Sequence, residues 1–232
     1  MFFKRSFKRT APDNGRFKFF ETGFHGDRYL LMLVDALIKD CGYFIETGAN
    51  VGSTLAYVAR TYPDKTCISC EPDKDAFDEA IKNTGGLKNA IIYNMPSQDF
   101  IKSIEKGHKE LLEKDALFWL DAHGYGFDWP LKDELRFITT RFKRAHILID
   151  DFKVPGLEVF SYDVYKAQVC SFDFVKDSLA PGRGYKIFYP DYTEKTSPHH
   201  PLVGWGLIEF GHAKEIFLPD ILRNKIKGPI HV

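Results

Sequence analysis

Residues Tyr43–Tyr57 read YFIETGANVGSTLAY. An apolar run ends at Glu46, passes through Gly48, Asn50 and Gly52, and turns helix-like from Ser53. That order is a strand, a tight turn and a helix start. In open α/β sheets, ligands bind beyond the carboxyl ends of the strands, where the strand order reverses. Gly48 and Gly52 permit a backbone that side chains hinder, and they let a ligand come close. Free N–H groups at the helix start attract a carboxylate or phosphate. Glu46 is placed to receive an ammonium group or a hydroxyl. The spacing is E-x-G-x-N-x-G, not the G-x-G-x-x-G of dinucleotide sites. A turn with a purely structural role would read the same way.

Working outward, strand and helix patterns alternate. His25–Asp40 has Tyr29, Leu30, Leu33, Val34, Leu37 and Ile38 at helical spacing. Strands are expected at Thr66–Cys70, Ala90–Asn94, Ala116–Leu120 and Ala145–Ile149, with helices at Ser53–Thr61, Asp75–Asn83, Phe100–Ile104 and Pro130–Thr140. Five such alternations imply a parallel, doubly wound sheet. Val154–Gln168 reads as loop, and Ser171–Leu179 as a short helix. Tyr185–Tyr189 and Gly206–Phe210 read as two late strands without a full helix between them, hence an antiparallel hairpin on the sheet edge. The expectation is an α/β, Rossmann-like, mostly parallel sheet of seven strands with a C-terminal hairpin. One domain over 25–232 follows an irregular basic arm over 1–24.

Glu71 lies a little over 20 residues beyond the glycine turn, at the tip of the second strand. An acid there can accept hydrogen bonds from both ribose hydroxyls of an adenosine-type cofactor. Its bland alternative is a helix-start acid, but Asp73 is already a plausible N-cap. Three further acids, Asp121, Asp150 and Asp151, follow the fourth and fifth strands. Converging carboxylates repel and raise one another's pKa. A divalent cation relieves this, and Mg²⁺ takes oxygen ligands while keeping positions for a substrate oxygen. The alternative is a set of caps, ion pairs and solvated ends. His123 is the nearest imidazole in sequence, and an unperturbed pKa near ~6.5 suits a general base.

The turn resembles the first motif of class I S-adenosylmethionine-dependent methyltransferases, usually D/E-x-G-x-x-x-G. LFWLDAHGYGFDWPLKDEL followed by HILIDDF resembles, in order and spacing, the magnesium-dependent macrocin- and aminocoumarin-type sugar O-methyltransferases and the cephalosporin-hydroxylase-like group. ETGANVG is also similar to FkbM-type methyltransferases. The resemblance covers roughly Phe44–Phe152, and the glycine- and aromatic-rich DAHGYGFDWP departs from it. It implies an S-adenosylmethionine site built from Glu46, Thr47, Gly48, Ala49, Asn50, Gly52, Ser53, Glu71, Ser97, Gln98 and Asp121. Ser97 and Gln98 would flank the adenine, although Ser97 equally suits a helix cap. The N-terminal helix would cover the cofactor, bringing Gly23–Asp27 near it. Asp121, Asp150 and Asp151 would hold Mg²⁺. Asp121 and His123 would be catalytic, in methyl transfer to an oxygen of a small molecule or sugar. Rival readings are a nicotinamide-dependent oxidoreductase and a cofactor-binding scaffold without turnover.

Composition sets outer bounds. The chain has 232 residues with 32 basic and 32 acidic side chains, so nothing global points to nucleic acid. No N/D-P-P-Y/F motif is present. Aromatics make up 15%, enough for a packed core and a pocket wall. Four cysteines are too few for a disulfide framework, and Cys67 and Cys70 read as small core residues in a strand. A reducing cytoplasm is the expected setting. No stretch is long enough to span a bilayer, and a homo-oligomer is compatible with the sequence. His199-His200 is expected in solvent, Trp129 and Trp205 at core or edge positions, and Asp128, Asp133 and Glu134 at a solvated helix start.

Overall fold

The computed structural model describes residues 18–107, 109–122, 129–212 and 216–232. Residues 1–17 of the basic arm, Asp128 and His123 lie outside them. A 3-10 turn at Phe24–Gly26 leads into α1 (Arg28–Ile38), β1 (Tyr43–Thr47), α2 (Ser53–Thr61), β2 (Thr66–Cys70) and α3 (Lys74–Asn83). Then come β3 (Ala90–Tyr93), α4 (Ser97–Gly107), β4 (Ala116–Leu120), α5 (Leu131–Arg141) and β5 (Ala145–Ile149). A small ribbon, β6 (Val164–Tyr165) and β7 (Gln168–Val169), precedes α6 (Phe172–Val175). The chain closes with β8 (Tyr185–Pro190), β9 (Gly206–Phe210), α7 (Asp220–Arg223) and β10 (Ile226–His231).

The main sheet has the order β10-β8-β9-β5-β4-β1-β2-β3. β1 to β5 pair in parallel. β9 runs antiparallel to both β5 and β8. The chain builds outward through β2 and β3, then returns to lay β4 on the other side of β1. The reversal opens a crevice beyond the carboxyl ends of β1 and β4. The expected hairpin is present, but the sheet has eight strands where seven were anticipated. β10 pairs antiparallel with β8 through an irregular register between Lys227 and Ile230. Its Lys-Gly-Pro centre hides the pairing, because Gly and Pro ordinarily argue against a strand interior.

The central strands are closed on both faces. Every residue of β4 and β5 is buried, as an interior parallel strand requires. On one face Phe24 lies edge-on to Phe44 and Trp119; on the other Phe118 lies edge-on to Phe142. Fully burying such side chains contributes about 1.5–3 kcal/mol each. Two boundaries move from expectation. α1 starts at Arg28 rather than His25, because Phe24 and His25 hold φ of 54° and 55° and Asp27 caps the helix through Tyr29 N and Leu30 N. The 154–168 segment contains the β6–β7 ribbon rather than loop alone. All four cysteines are buried and free. Burial pushes the Cys67 thiol up to about 12, which keeps it from reactive thiolate form. No helix among the described residues is long and apolar enough to cross a membrane.

The hairpin end of the sheet contains a polar row. His146 of β5 pairs in register with Glu209 of β9, and Glu209 with Lys186 of β8. Lys186 Nζ lies 3.8 Å from Glu209 Oε1. His146 stacks on His212 with ring centroids 4.1 Å apart. Burial, then the nearby His212 and Lys186, lowers the His146 pKa to about 3. The folded protein therefore keeps His146 neutral where the unfolded chain would protonate it. Stability should fall as pH drops from about 6.5 toward 3, by an amount on the order of 3–5 kcal/mol. Urea titrations across that range should show a flatter slope for His146→Gln than for the parent. Equal slopes would assign the acid sensitivity elsewhere.

Candidate functional site

The turn after β1 is rigid before any ligand arrives. Gly48 has φ 82°, Asn50 48° and Gly52 78°, all left-handed. Asparagine tolerates that region better than other side chains. Gly48 N and Ala49 N donate to Cys70 O at 3.1 and 2.9 Å, and Asn50 N donates to Glu71 Oε2 at 2.7 Å. Asp73 N donates to the other oxygen, Glu71 Oε1, at 2.9 Å. These main-chain donors of the turn are thus engaged within the protein. Their effect is to fix Glu71 against the turn. The helix start that follows has no side-chain cap, since Gly52 occupies that position.

Glu46 is buried and accepts from Ser69 Oγ at 2.6 Å. Burial raises its pKa to about 8, with Glu71 adding to the rise and the Ser69 bond opposing it. Asp73 caps α3 through Asp75 N and Ala76 N, which leaves Glu71 outside the capping role. Ser97 opens α4 buried, and Gln98 is half-buried beside it. Ser97 is the first residue of α4 and its hydroxyl is engaged by Glu134.

The acidic tips converge. Asp121 N donates to Thr47 O at 3.0 Å and Asp150 N to Leu120 O at 3.1 Å, continuing the parallel ladder past the strands. Asp151 turns out of β5 with φ 47°. Burial holds the Asp121 carboxyl well above the usual range, reinforced by Asp150, Asp151 and Glu46 and by a hydrogen bond with Asp150. Asp150 is 1% exposed, and its Oδ2 lies 2.7 Å from His25 Nε2. Burial alone would lower the His25 pKa. Asp150, then Asp151 and Asp27, outweigh burial and hold it at about 9. His25 is therefore a cation at neutral pH, and it is the counter-charge of the cluster.

A metal is the other way to relieve such a cluster, and the oxygen donors suit Mg²⁺ by type. Their arrangement does not fit. Among the described residues no three His, Cys, Asp or Glu side chains are disposed to hold an ion. Asp121 and Asp150 share a hydrogen bond, and His25 engages Asp150 Oδ2.

Sequence reasoning brought Gly23–Asp27 near the cofactor but did not single out His25 or pair it with Asp150, from which 125 positions separate it. The arm is built into that place. Phe20 N donates to Ser53 Oγ at 3.0 Å and Phe24 N to Thr54 Oγ1 at 3.4 Å, at the start of α2. Ser197 Oγ donates to His25 O at 2.6 Å. His200 lies edge-on to Phe20 and His25, half-buried, where solvent was expected; His199 is exposed. Glu134 is a second correction. It is 2% exposed rather than solvated, whereas Asp133 beside it is exposed. Trp205 is core, donating to Tyr192 OH, and Trp129 packs half-buried on Tyr165 and Phe174.

No protein-family profile matches the chain, and no curated protein matches it by sequence. Solved structures do match in fold. An O-methyltransferase from Bacillus cereus in complex with SAH superposes with a TM-score of 0.53 at 13% identity, over 82% of this chain and 81% of that one. The O-methyltransferase TomG from Streptomyces achromogenes, in complex with SAM, gives 0.51 at 13% identity over 79% of each chain. Spermidine synthase from Thermotoga maritima gives 0.50 at 13% identity, over 81% of this chain and 61% of that one. The fold is that of the class I S-adenosylmethionine-dependent methyltransferases. At these identities the likeness concerns architecture, and the synthase shows that this architecture hosts more than one chemistry.

The close approach of the two strand tips gives a direct check. A Cβ at Gly48 would stand 2.5 Å from Asp121 O, with φ already unfavourable. Gly86 has φ 86° but nothing within 4 Å. Gly86→Ala should cost roughly 1 kcal/mol from backbone strain alone. Gly48→Ala should cost at least about 2 kcal/mol more, because backbone must move. Thermal denaturation of the two variants compares them, and equal losses would remove the close approach as a constraint.

Proposed function

We propose that the chain is an S-adenosylmethionine-dependent methyltransferase that methylates an oxygen of a small molecule or sugar. The observation that carries the reading is the bond from Asn50 N to Glu71 Oε2. It makes one rigid piece of the glycine turn and the acid, which suits a ligand with an amino-acid end and a ribose joined at fixed distance. Glu46, Thr47, Gly48, Ala49, Asn50, Gly52 and Ser53 form the methionine-side cradle in this reading. Glu71 takes the ribose hydroxyls with lone pairs not used by the main chain. Ser97 and Gln98 flank the adenine. The fold supports this over the nicotinamide alternative, since β9 enters antiparallel beside β5 where a dinucleotide fold continues in parallel.

S-adenosylmethionine supplies the electrophilic methyl group when bound. The protein's part is to orient the acceptor and take its proton. Asp121 orients the acceptor in this proposal: with Asp150 held charged by His25, the hydrogen bond between the two carboxyls puts the proton on Asp121 and makes it a donor. His25 holds Asp150 in charged form and so keeps the cluster from collecting protons at random. Magnesium is not assigned a step, because the carboxylates are arranged as a hydrogen-bonded pair with a histidine partner. His123 lies outside the described residues and keeps its proposed role as the general base. Four buried free cysteines support a reducing, cytoplasmic setting.

Calorimetric titration tests the proposal. The parent chain should bind S-adenosylhomocysteine at micromolar concentration and show no binding of NAD⁺. Glu71→Ala should weaken binding by about 10- to 100-fold, as expected for lost hydrogen bonds to a charged group. Absence of cofactor binding by the folded parent at millimolar concentration would overturn the reading.

A further inference from the structure

The late strands carry a cavity of their own at the β10–β8 end of the sheet, with β9 and β5 between it and β4. Lys186 and Phe188 of β8 share one face of the sheet, since alternate residues of a strand do. The Ile216–Leu218 segment, Arg223 of α7 and Gly228-Pro229 of β10 complete the lining. The volume is about 300 Å³, which is within the range of small-molecule sites. One wall is fixed by packing: a Cβ at Gly228 would stand 2.8 Å from Phe188 Cδ1. The rim is open to solvent. Phe217 is 81% exposed, the highest value among the exposed large apolar side chains.

Two cations stand in this lining, and no carboxylate does among the described residues. The Lys186 side chain is only 24% exposed, yet its Nζ lies 3.8 Å from Glu209 Oε1, beyond hydrogen-bond reach. Arg223 pairs with Asp220 at 3.2 Å, but both side chains are exposed. Such a surface pair is held weakly in water, and a guanidinium has five donors to offer. A concave apolar wall with a few charged groups at its edge is the usual form of a ligand site. The occupant must be apolar in its body and negative at one end. A strand from a second chain does not fit. Pro229 has no N–H to offer along β10, and the pairing of β10 with β8 is irregular between Lys227 and Ile230.

We propose that this cavity binds a small anionic amphiphile, an acyl or aryl carboxylate. Its apolar part lies between Phe188, Phe217 and Pro229, and its carboxylate is taken by Arg223, with Lys186 as the second cation. Arginine suits this role because its planar fork matches the two carboxylate oxygens. The site is separate from the crevice beyond β1 and β4, so it stands or falls independently of the methyl-transfer reading.

The test titrates sodium octanoate into the isotopically labelled full chain, with 1-octanol as the neutral control, and follows amide shifts. Octanoate should saturate shifts at Lys186–Phe188, Ile216–Leu218 and Gly228 with a Kd of about 1 mM or tighter, as its size allows. Octanol should bind at least about fivefold more weakly, because it cannot engage the cations. Arg223→Gln changes an exposed side chain; it should weaken octanoate about three- to tenfold and leave octanol unchanged. Phe217→Ser should weaken both compounds by about threefold through lost apolar contact. Absence of saturable shifts in the folded parent at millimolar octanoate would overturn the proposal. Shifts confined to the Gly48–Ser53 turn would do so as well, as would equal octanoate affinity in Arg223→Gln. Vesicles of phosphatidylcholine and phosphatidylserine separate the other source of the same chemistry. Sedimentation of the chain with them, without saturable octanoate binding, would assign the surface to a lipid headgroup and overturn the free ligand.

Discussion

The constraint on which the crevice depends is the contact between Gly48 and the carbonyl of Asp121. A side chain at position 48 would overlap that oxygen, so the first strand tip and the fourth can touch only through a glycine. Everything ligand-directed is arranged from this contact. It seats Thr47 O to receive Asp121 N, which carries the ladder one residue past the strands. The same turn delivers Asn50 N to Glu71. Loosening one residue would uncouple the glycine turn, Glu71 and the acidic tips together. A crevice at a strand-order reversal is general to this architecture; its narrowness here comes from a specific glycine.

Around that crevice the chain collects acids that it would be more stable without. Glu46, Asp121, Asp150 and Glu134 all lie at or beneath the strand tips, and burial raises the pKa of Glu46, Asp121 and Glu134. Each has a different compensation. Ser69 donates to Glu46, His25 is the cation for Asp150, and Asp121 and Asp150 share a hydrogen bond. Ser97 and Thr47 engage Glu134 through their hydroxyls. Buried charge with imperfect partners is costly, and a chain free to choose would place Leu there. Such violations of core chemistry concentrate where function requires them.

Much of this was legible in the sequence, and the failures share a cause. Strands Thr66–Cys70, Ala116–Leu120, Ala145–Ile149 and Gly206–Phe210 stand where the apolar runs placed them. Local patterns report burial, and burial on both faces makes an unmistakable run. Glu71, the acidic tips and the glycine turn were found because their meaning depends on position along a strand. His25 and Glu134 were not. His25 meets Asp150 only because the arm folds back across the crevice, and no local period encodes that. Glu134 sits where polarity and helix position both suggest solvent, beside Asp133, which is exposed. One step around the helix separates the two, and which face turns inward depends on where α5 packs. β10 was obscured for a related reason: its pairing with β8 tolerates a register shift around Gly-Pro that no alternating pattern would reveal.

The acceptor side of the site is therefore best understood as an assembly of distant segments. The arm contributes His25, the late loop contributes Ser197 and His200, and both close over carboxylates supplied by the sheet. His25 and Phe24 stand in left-handed backbone, a conformation with a cost of about 1–3 kcal/mol that surrounding contacts must impose. Ser197 imposes it from one side and the hydroxyls of Ser53 and Thr54 from the other. The sheet can thus be common to many proteins while the arm and loop distinguish this chain. That division explains why the fold is matched by solved structures while the sequence matches no family. The shared part is set by strand packing, which many sequences satisfy, and the distinctive part by a few polar contacts at long range.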